Sequence, residues 1–299
     1  MTGSVRPRRS VLYMPGANPR ALEKARELPA DALILDLEDS VAVAEKENAR
    51  RLVAEAVAAR PYGRREVAIR INGFDTPWGE GDLAMACEVA PDAILVPKVE
   101  TPDVVEWLAE RLPELGAPVE TRLWAMIETP TAILRLAEIA AASPRLDCLV
   151  MGTNDLVNEL HAEHTADRLP VLAALSLAVL AARANGLAVL DGVHNAIRDE
   201  AGLRAVCEQG RALGFDGKTL IHPSQIAVAN EVFAPSPEAL DEARRIIAAF
   251  EEAEREGRGV TVVDGRLVEN LHVENARRLL ALAQAIAALE GGAEKGEKT

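Results

Sequence analysis

The stretch ALILDLEDSV, residues 32–41, decides how this chain is read. Ala32, Leu33, Ile34 and Leu35 form an apolar run of strand length, and Asp36, Glu38 and Asp39 then crowd three carboxylates into four residues where the run ends. A run that is continuously apolar rather than alternating predicts a strand covered on both faces, as in a parallel sheet. Carboxylates gathered without partners repel one another and protonate, so the end of this strand calls for a counter-charge.

Seven further runs share the pattern: SVLYMP (10–15), EVAIRIN (66–72), AILVPKV (93–99), RLWAMIE (122–128), LDCLVMG (146–152), AVLDGVH (188–194) and GKTLIHP (217–223). Helix-like segments lie between them, among them 20–28, 42–59, 102–112, 130–141 and 196–213. Eight strand–helix units joined by right-handed crossovers predict an α/β fold, a (β/α)8 TIM barrel, which takes about 250 residues. A doubly wound sheet is the rival, but no glycine-rich phosphate turn follows the first run. The barrel is expected over residues 1–229. A charged helix (237–256), the hairpin VTVVDGRLV (260–268) turning at Asp264-Gly265, and an amphipathic helix (272–289) form a C-terminal helix–hairpin–helix extension over 230–290. The polar residues 291–299 read as a disordered tail.

The chain has 299 residues, 49% of them apolar but only 3% aromatic, which favours helices packed on buried strands over an aromatic-rich β-sandwich. A net charge of −14 argues against a nucleic-acid binder. No run reaches the 18 or so apolar residues of a membrane span, and no apolar h-region follows the basic N-terminus, so a soluble cytoplasmic protein is expected. Cys87, Cys148 and Cys207 are far apart and odd in number, and read as small core residues.

Barrel active sites sit at the C-terminal ends of the strands. Those ends carry Glu38-Asp39, Arg70-Ile71-Asn72, Pro97-Lys98, Glu128-Thr129-Pro130, Gly152-Thr153-Asn154-Asp155, Asp191-Gly192-Val193-His194 and His222-Pro223, whereas the opposite ends carry ordinary turn residues. Glu38, Asp39, Glu128 and Asp155 would converge on one mouth. An all-oxygen donor set points to a hard cation, Mg²⁺ or Mn²⁺, held by two carboxylates with the others orienting water. Arg70 and Lys98 would balance the remaining charge. Each acid alone could equally be a helix cap, as Asp39 and Asp155 could. His222-Pro223 reads as a structural corner and Asp191 as structural. Arg6, Arg8, Arg9 and Lys24 form a basic cluster, either solvated or a landing site for an anionic ligand.

The stretches RSVLYMPGANPRALEKA, DALILDLEDSV, RIN, LVPKV, MIETP, GTNDL, DGVH and GFDGKTLIHPSQI, in this order over residues 9–226, resemble the citrate lyase β-subunit-like enzymes of the HpcH/HpaI aldolase group, which include malyl-CoA and citramalyl-CoA lyases. The likeness continues through VVDGRLVENLHVENARRLL, with Glu269 where many such segments end in Asp. The resemblance implies a Mg²⁺-dependent carbon–carbon lyase that cleaves a 3-hydroxy dicarboxyl or tricarboxyl acyl-CoA into glyoxylate, pyruvate or oxaloacetate and an acyl-CoA. It implies Glu128 and Asp155 as metal ligands, Glu38 and Asp39 as acids orienting metal-bound water, and Arg70 facing the substrate oxygen. Lys98 and Arg9 are the further candidates for substrate binding. Asp264 becomes a lid acid that reaches a neighbouring subunit's site in a homotrimer or larger homo-oligomer. Two other activities stay open on the same residues: a citrate lyase β subunit acting on citryl-acyl-carrier protein, and a malyl-CoA thioesterase.

Overall fold

A computed structural model describes residues 5–293. Eight parallel strands close into a barrel in sequence order: β1 (Ser10–Pro15), β2 (Ala32–Asp36), β3 (Glu66–Arg70), β4 (Ala93–Val96), β5 (Arg122–Ile127), β6 (Leu146–Met151), β7 (Ala188–Asp191) and β8 (Gly217–Leu220), with β8 returning to pair with β1. The crossovers carry α1 (Pro19–Lys24), α2 (Lys46–Ala58), α3 (Gly79–Val89), α4 (Pro102–Glu114), α5 (Pro130–Leu134), α6 (Leu136–Ala141), α7 (Thr153–Glu159), α8 (Leu172–Asn185), α9 (Glu200–Leu213) and α10 (Ile226–Phe233).

Alternate residues of each strand serve two cores. Outward side chains such as Leu33, Leu35, Ile69 and Ile94 pack under the helices, while Val11, Ile34, Leu95, Met126, Val150 and Leu190 fill the interior. Trp124 is the largest interior side chain, and Ala32, Ala68 and Ala93 in the same cluster leave room for it. Being buried on both sides is what makes most strand positions apolar, and charged exceptions such as Glu66 and Lys218 are ion-paired.

The far end of the barrel is not made of ordinary turn residues. Arg8 bonds Glu66 through two nitrogens at 2.6 and 2.7 Å and Asp147 at 2.5 Å, and its guanidinium lies 4.9 Å from the centre of the Trp124 ring. Arg9, ahead of β1, forks onto Asp31, ahead of β2, at 2.9 and 2.8 Å. Arg9 is thus buried in an ion pair at the N-terminal ends of the strands, away from the mouth, and the expectation that it binds substrate is corrected.

The barrel unit runs from Arg8 to Phe233. The segment after it forms a separate compact unit: α11 (Pro237–Arg255), the antiparallel pair β9 (Thr261–Val263) and β10 (Arg266–Val268), and α12 (Asn270–Ala293). Phe250, Val268 and Val273 form its core. Asp264 and Gly265 both have positive φ, 49° and 77°, as a two-residue hairpin turn of the twist-matching type requires. α12 extends to Ala293, into the stretch expected to be a tail; residues 294–299 lie outside the described region.

Closure leaves no space at Gly217, where a Cβ would overlap the carbonyl of Arg8 as β8 meets β1. Gly217→Ala should therefore cost more than about 3 kcal/mol, read as a fall of roughly 6–12 °C in the thermal midpoint. An unchanged midpoint would show that the seam can move aside.

Candidate active site

Asp36 ends β2 directly opposite Arg70, which ends β3. Arg70 donates through Nε and Nη2 to the two oxygens of Asp36 at 2.6 and 2.7 Å, a bidentate buried pair. Burial alone would raise the Asp36 carboxyl, but the Arg70 charge and hydrogen bonds hold it below the usual carboxylate range. Asp36 also accepts from the backbone N–H of Glu38 at 2.9 Å and of Ser40 at 3.1 Å, so it fixes the acidic loop as well as the arginine.

The third nitrogen, Arg70 Nη1, faces the two following acids. It lies 2.7 Å from Glu38 Oε2 and 3.2 Å from Asp39 Oδ2. Glu38 Oε2 is buried yet accepts no hydrogen bond of sound geometry. Burial first, opposed by Arg70 and reinforced by Asp39 and Glu128, pushes the Glu38 carboxyl up to about 8. Asp39 is 70% exposed and caps no helix. The Tyr13 ring stacks 4.8 Å from the guanidinium of Arg70, completing its cage.

Glu128, buried just beyond β5, is pushed up to about 7 by burial and by Asp155, while a hydrogen bond from the Lys98 N–H works the other way. That bond, 2.8 Å to Oε1, is how Lys98 reaches the site: φ of +48° aims its backbone N–H at Glu128 while its side chain stays exposed. Asp155 lies in the first turn of α7 and not at its cap, which is Gly152. Gly152 makes space for Glu128, since a Cβ there would sit 2.5 Å from Glu128 Oε2 and 3.1 Å from Met126 Cε.

Glu38, Asp39, Glu128 and Asp155 are thus close enough to perturb one another at a single mouth, with Arg70 among them. Among the described residues no group of three acids, histidines or cysteines could hold a metal ion unaided. The arrangement suits a cation that takes two carboxylates from the protein and the rest from water and substrate. Asp264 belongs to the second unit, where it is exposed and 3.1 Å from Arg245. His222 accepts at Nδ1 from the Ser224 N–H at 3.2 Å, a structural corner as expected. Asp191 is buried against Arg168 at 2.7 Å and Lys218 at 3.0 Å. Sequence reasoning missed Asp36 as the clamp on Arg70 and Gly152 as the space for Glu128. The first had a signal, because the last residue of a buried strand is itself buried.

The model of the family described as HpcH/HpaI aldolase/citrate lyase matches residues 9–223. A protein of Cereibacter sphaeroides strain KD131 named (3S)-malyl-CoA thioesterase is 56% identical over 288 residues, spanning 96% of this chain and 99% of that one. The citrate lyase subunit beta of Escherichia coli K12 is 38% identical over 284 residues, spanning 93% and 94%. Among solved structures, CitE of Mycobacterium tuberculosis in complex with magnesium, acetoacetate and coenzyme A superposes with a TM-score of 0.74 at 33% identity, covering 92% of this chain and 97% of that one.

The Gly152 contact can be tested directly. Gly152→Ala should displace the Glu128 carboxylate and weaken Mg²⁺ binding at least about tenfold, since a misplacement of order 1 Å in a site is expensive. Calorimetric titration that returned the wild-type affinity would show that Glu128 is not held there.

Proposed function

This chain belongs to the HpcH/HpaI aldolase/citrate lyase family, and from that premise we propose that it is a Mg²⁺-dependent enzyme hydrolysing the thioester of a malyl-CoA-type substrate, the CoA ester of a 3-hydroxy dicarboxylic acid. The observation that carries the reading is the pair of buried carboxyls, Glu38 and Glu128, raised to about 8 and about 7 beside Asp155 and Arg70. Perturbed acids in a cleft mark a functional site, and the buried Glu38 Oε2, ion-paired with Arg70 but accepting no hydrogen bond of sound geometry, together with the all-oxygen donor set fits Mg²⁺, with Mn²⁺ as a substitute. Glu128 and Asp155 would hold the ion. When bound, it supplies Lewis-acid polarisation and an anchor for anionic substrate oxygens.

The chain's own groups account for the rest. Glu38, titrating near neutral pH, takes the proton of the attacking water. Arg70 offers Nη1, which it shares with Glu38 and Asp39, to the oxygen that gains charge, and its other nitrogens are fixed on Asp36, so the plane of the guanidinium is already set when that charge develops. Asp39 shares Nη1 and keeps the arginine turned to the mouth. The exposed Lys98 ammonium offers a charge to the anionic arm of the thioester.

Carbon–carbon cleavage stands first on sequence grounds. The 56% identity along 96% of the chain to a relative named for hydrolysis supports the reverse order. Cleavage remains the second reading, favoured by the likeness to citrate lyase β subunits. Glu38 then takes the proton of the 3-hydroxyl, and Asp264 of a neighbouring copy would protonate the carbon of the acyl-thioester enolate. A panel of CoA thioesters of 3-hydroxy dicarboxylic acids with Mg²⁺, assayed separately for free thiol and oxo acid, decides between them. Free thiol without oxo acid is expected. Oxo acid without thiol would establish cleavage, and neither product from any member would overturn both.

The raised carboxyls also set a pH dependence. Both folded values lie above the unfolded ones, so the metal-free native chain holds protons that the unfolded chain has lost. Its stability therefore falls as pH rises from about 4.5 through about 7 to 8. A cation displaces those protons, so Mg²⁺ should raise the thermal midpoint more at pH 8 than at pH 6 and release roughly one proton on binding at pH 7. Glu128→Gln should lose the Mg²⁺-induced shift. A shift independent of pH, or binding without proton release, would contradict the assignment.

A further inference from the structure

Lys46 breaks two local rules. It is the first residue of α2, where the helix dipole disfavours a cation, and it is only 7% exposed, where an ammonium loses its water. Its three donors are all used: Nζ donates to the carbonyl of Leu37 at 2.9 Å, the carbonyl of Glu38 at 2.8 Å and Asn72 Oδ1 at 2.6 Å. The Trp78 ring lies 5.6 Å from it. Asn72 is fixed in turn, because its N–H and its Nδ2 both donate to Asp82 Oδ2, at 3.0 and 2.6 Å. Asp82 is held through its other oxygen by Arg50 at 2.6 Å. Asn72 also donates to the Leu37 carbonyl at 2.9 Å.

The loop after β2 is therefore gripped from two sides. Its amides at Glu38 and Ser40 point to the Asp36 carboxylate, and its carbonyls at Leu37 and Glu38 point to the Lys46 ammonium. Opposite charges on the two sides match the two ends of the peptide dipoles, so the loop can crowd acids at its tip without swinging into solvent. We propose that Lys46, held by Asn72 and Asp82, is the positioning residue that fixes the Glu38–Asp39 loop against Arg70 in the reacting geometry. The proposal rests on the reading of Glu38 as the proton-handling acid. It gives Asn72, two residues beyond Arg70, a function separate from that of the arginine.

The test uses the full chain carrying Lys46→Met, which keeps the length of the side chain and removes its donors. In the metal-free protein, amide hydrogen exchange at Glu38 and Ser40 should accelerate at least about tenfold while the β2–β3 ladder stays protected. With saturating Mg²⁺ and a thioester that is turned over, kcat should fall about 10–100-fold with KM within about twofold, as expected when a site is loosened. In a Glu38→Gln background the same substitution should add little further loss, because the two changes act through one group. Wild-type exchange at Glu38 and Ser40, acceleration spread over the whole barrel, or losses that simply multiply in the double variant would each overturn the proposal. If Lys46→Met does not fold, Asn72→Ser removes one of the three acceptors and is read by the same exchange measurement. The exchange measurement needs neither metal nor substrate, so it stays decisive if the proposed hydrolysis is wrong.

Discussion

Asp36 and Arg70 face each other across the β2–β3 ladder, and the planar guanidinium meets the carboxylate with two parallel hydrogen bonds. Both side chains are buried, so neither charge is stable without the other. Removing one partner of such a pair typically costs about 3–5 kcal/mol. Everything at the mouth follows from this contact. It leaves one arginine nitrogen to point outward, fixes the amides of the acidic loop, and brings Glu38 and Asp39 to that nitrogen.

The two ends of the barrel treat charge in opposite ways. At the N-terminal end, Arg8 and Arg9 are matched by Glu66, Asp147 and Asp31 at bonding distance, and the interior is sealed over Trp124. At the C-terminal end, Asp36, Glu38, Asp39, Glu128 and Asp155 gather around Arg70, so acid is in excess. The excess sits in a poorly solvated place, and two of the carboxyls respond by holding protons near neutral pH. A structural mouth would have neutralised itself as the far end does. A mouth left short of positive charge is prepared to receive it, in the form of a cation and a substrate that shares it.

Hydrolysis of a thioester and cleavage of a carbon–carbon bond make similar demands on this arrangement. Each needs one acid that exchanges a proton near neutral pH and one fixed positive charge where an oxygen becomes negative. On the proposed reading Glu38 and Arg70 would meet both needs, and relatives named for either chemistry resemble this chain along more than nine-tenths of its length. The difference lies in what reaches the substrate next: water at the thioester carbon, or an acid at the enolate carbon.

Much of this could be read from the chain before its fold was known. A strand buried on both faces is apolar at most positions, so the strands announced themselves as nearly continuous apolar runs, least clearly in β8, where Lys218 and Thr219 are buried, and the acids stood where the runs stopped. The Asp264-Gly265 turn was legible because positive φ at two successive residues restricts which residues fit. What the sequence concealed were partnerships made by closure. Asp36 and Arg70 are 34 residues apart, Lys98 and Glu128 are 30 apart, and Lys46 and Asn72 are 26 apart. Lys98 was read as a side-chain charge, yet it bonds Glu128 through its backbone, because its contribution depends on a dihedral angle that composition does not encode. Arg9 was read as a candidate for substrate binding, whereas its position ahead of β1 sends it to the far end, into an ion pair with Asp31. Local patterns of polarity determined which residues form the strands and where acids gather. Only the tertiary structure decided which charges are spent on one another and which are left for a ligand, because that depends on distances across the ladder and on burial that arise when the barrel closes.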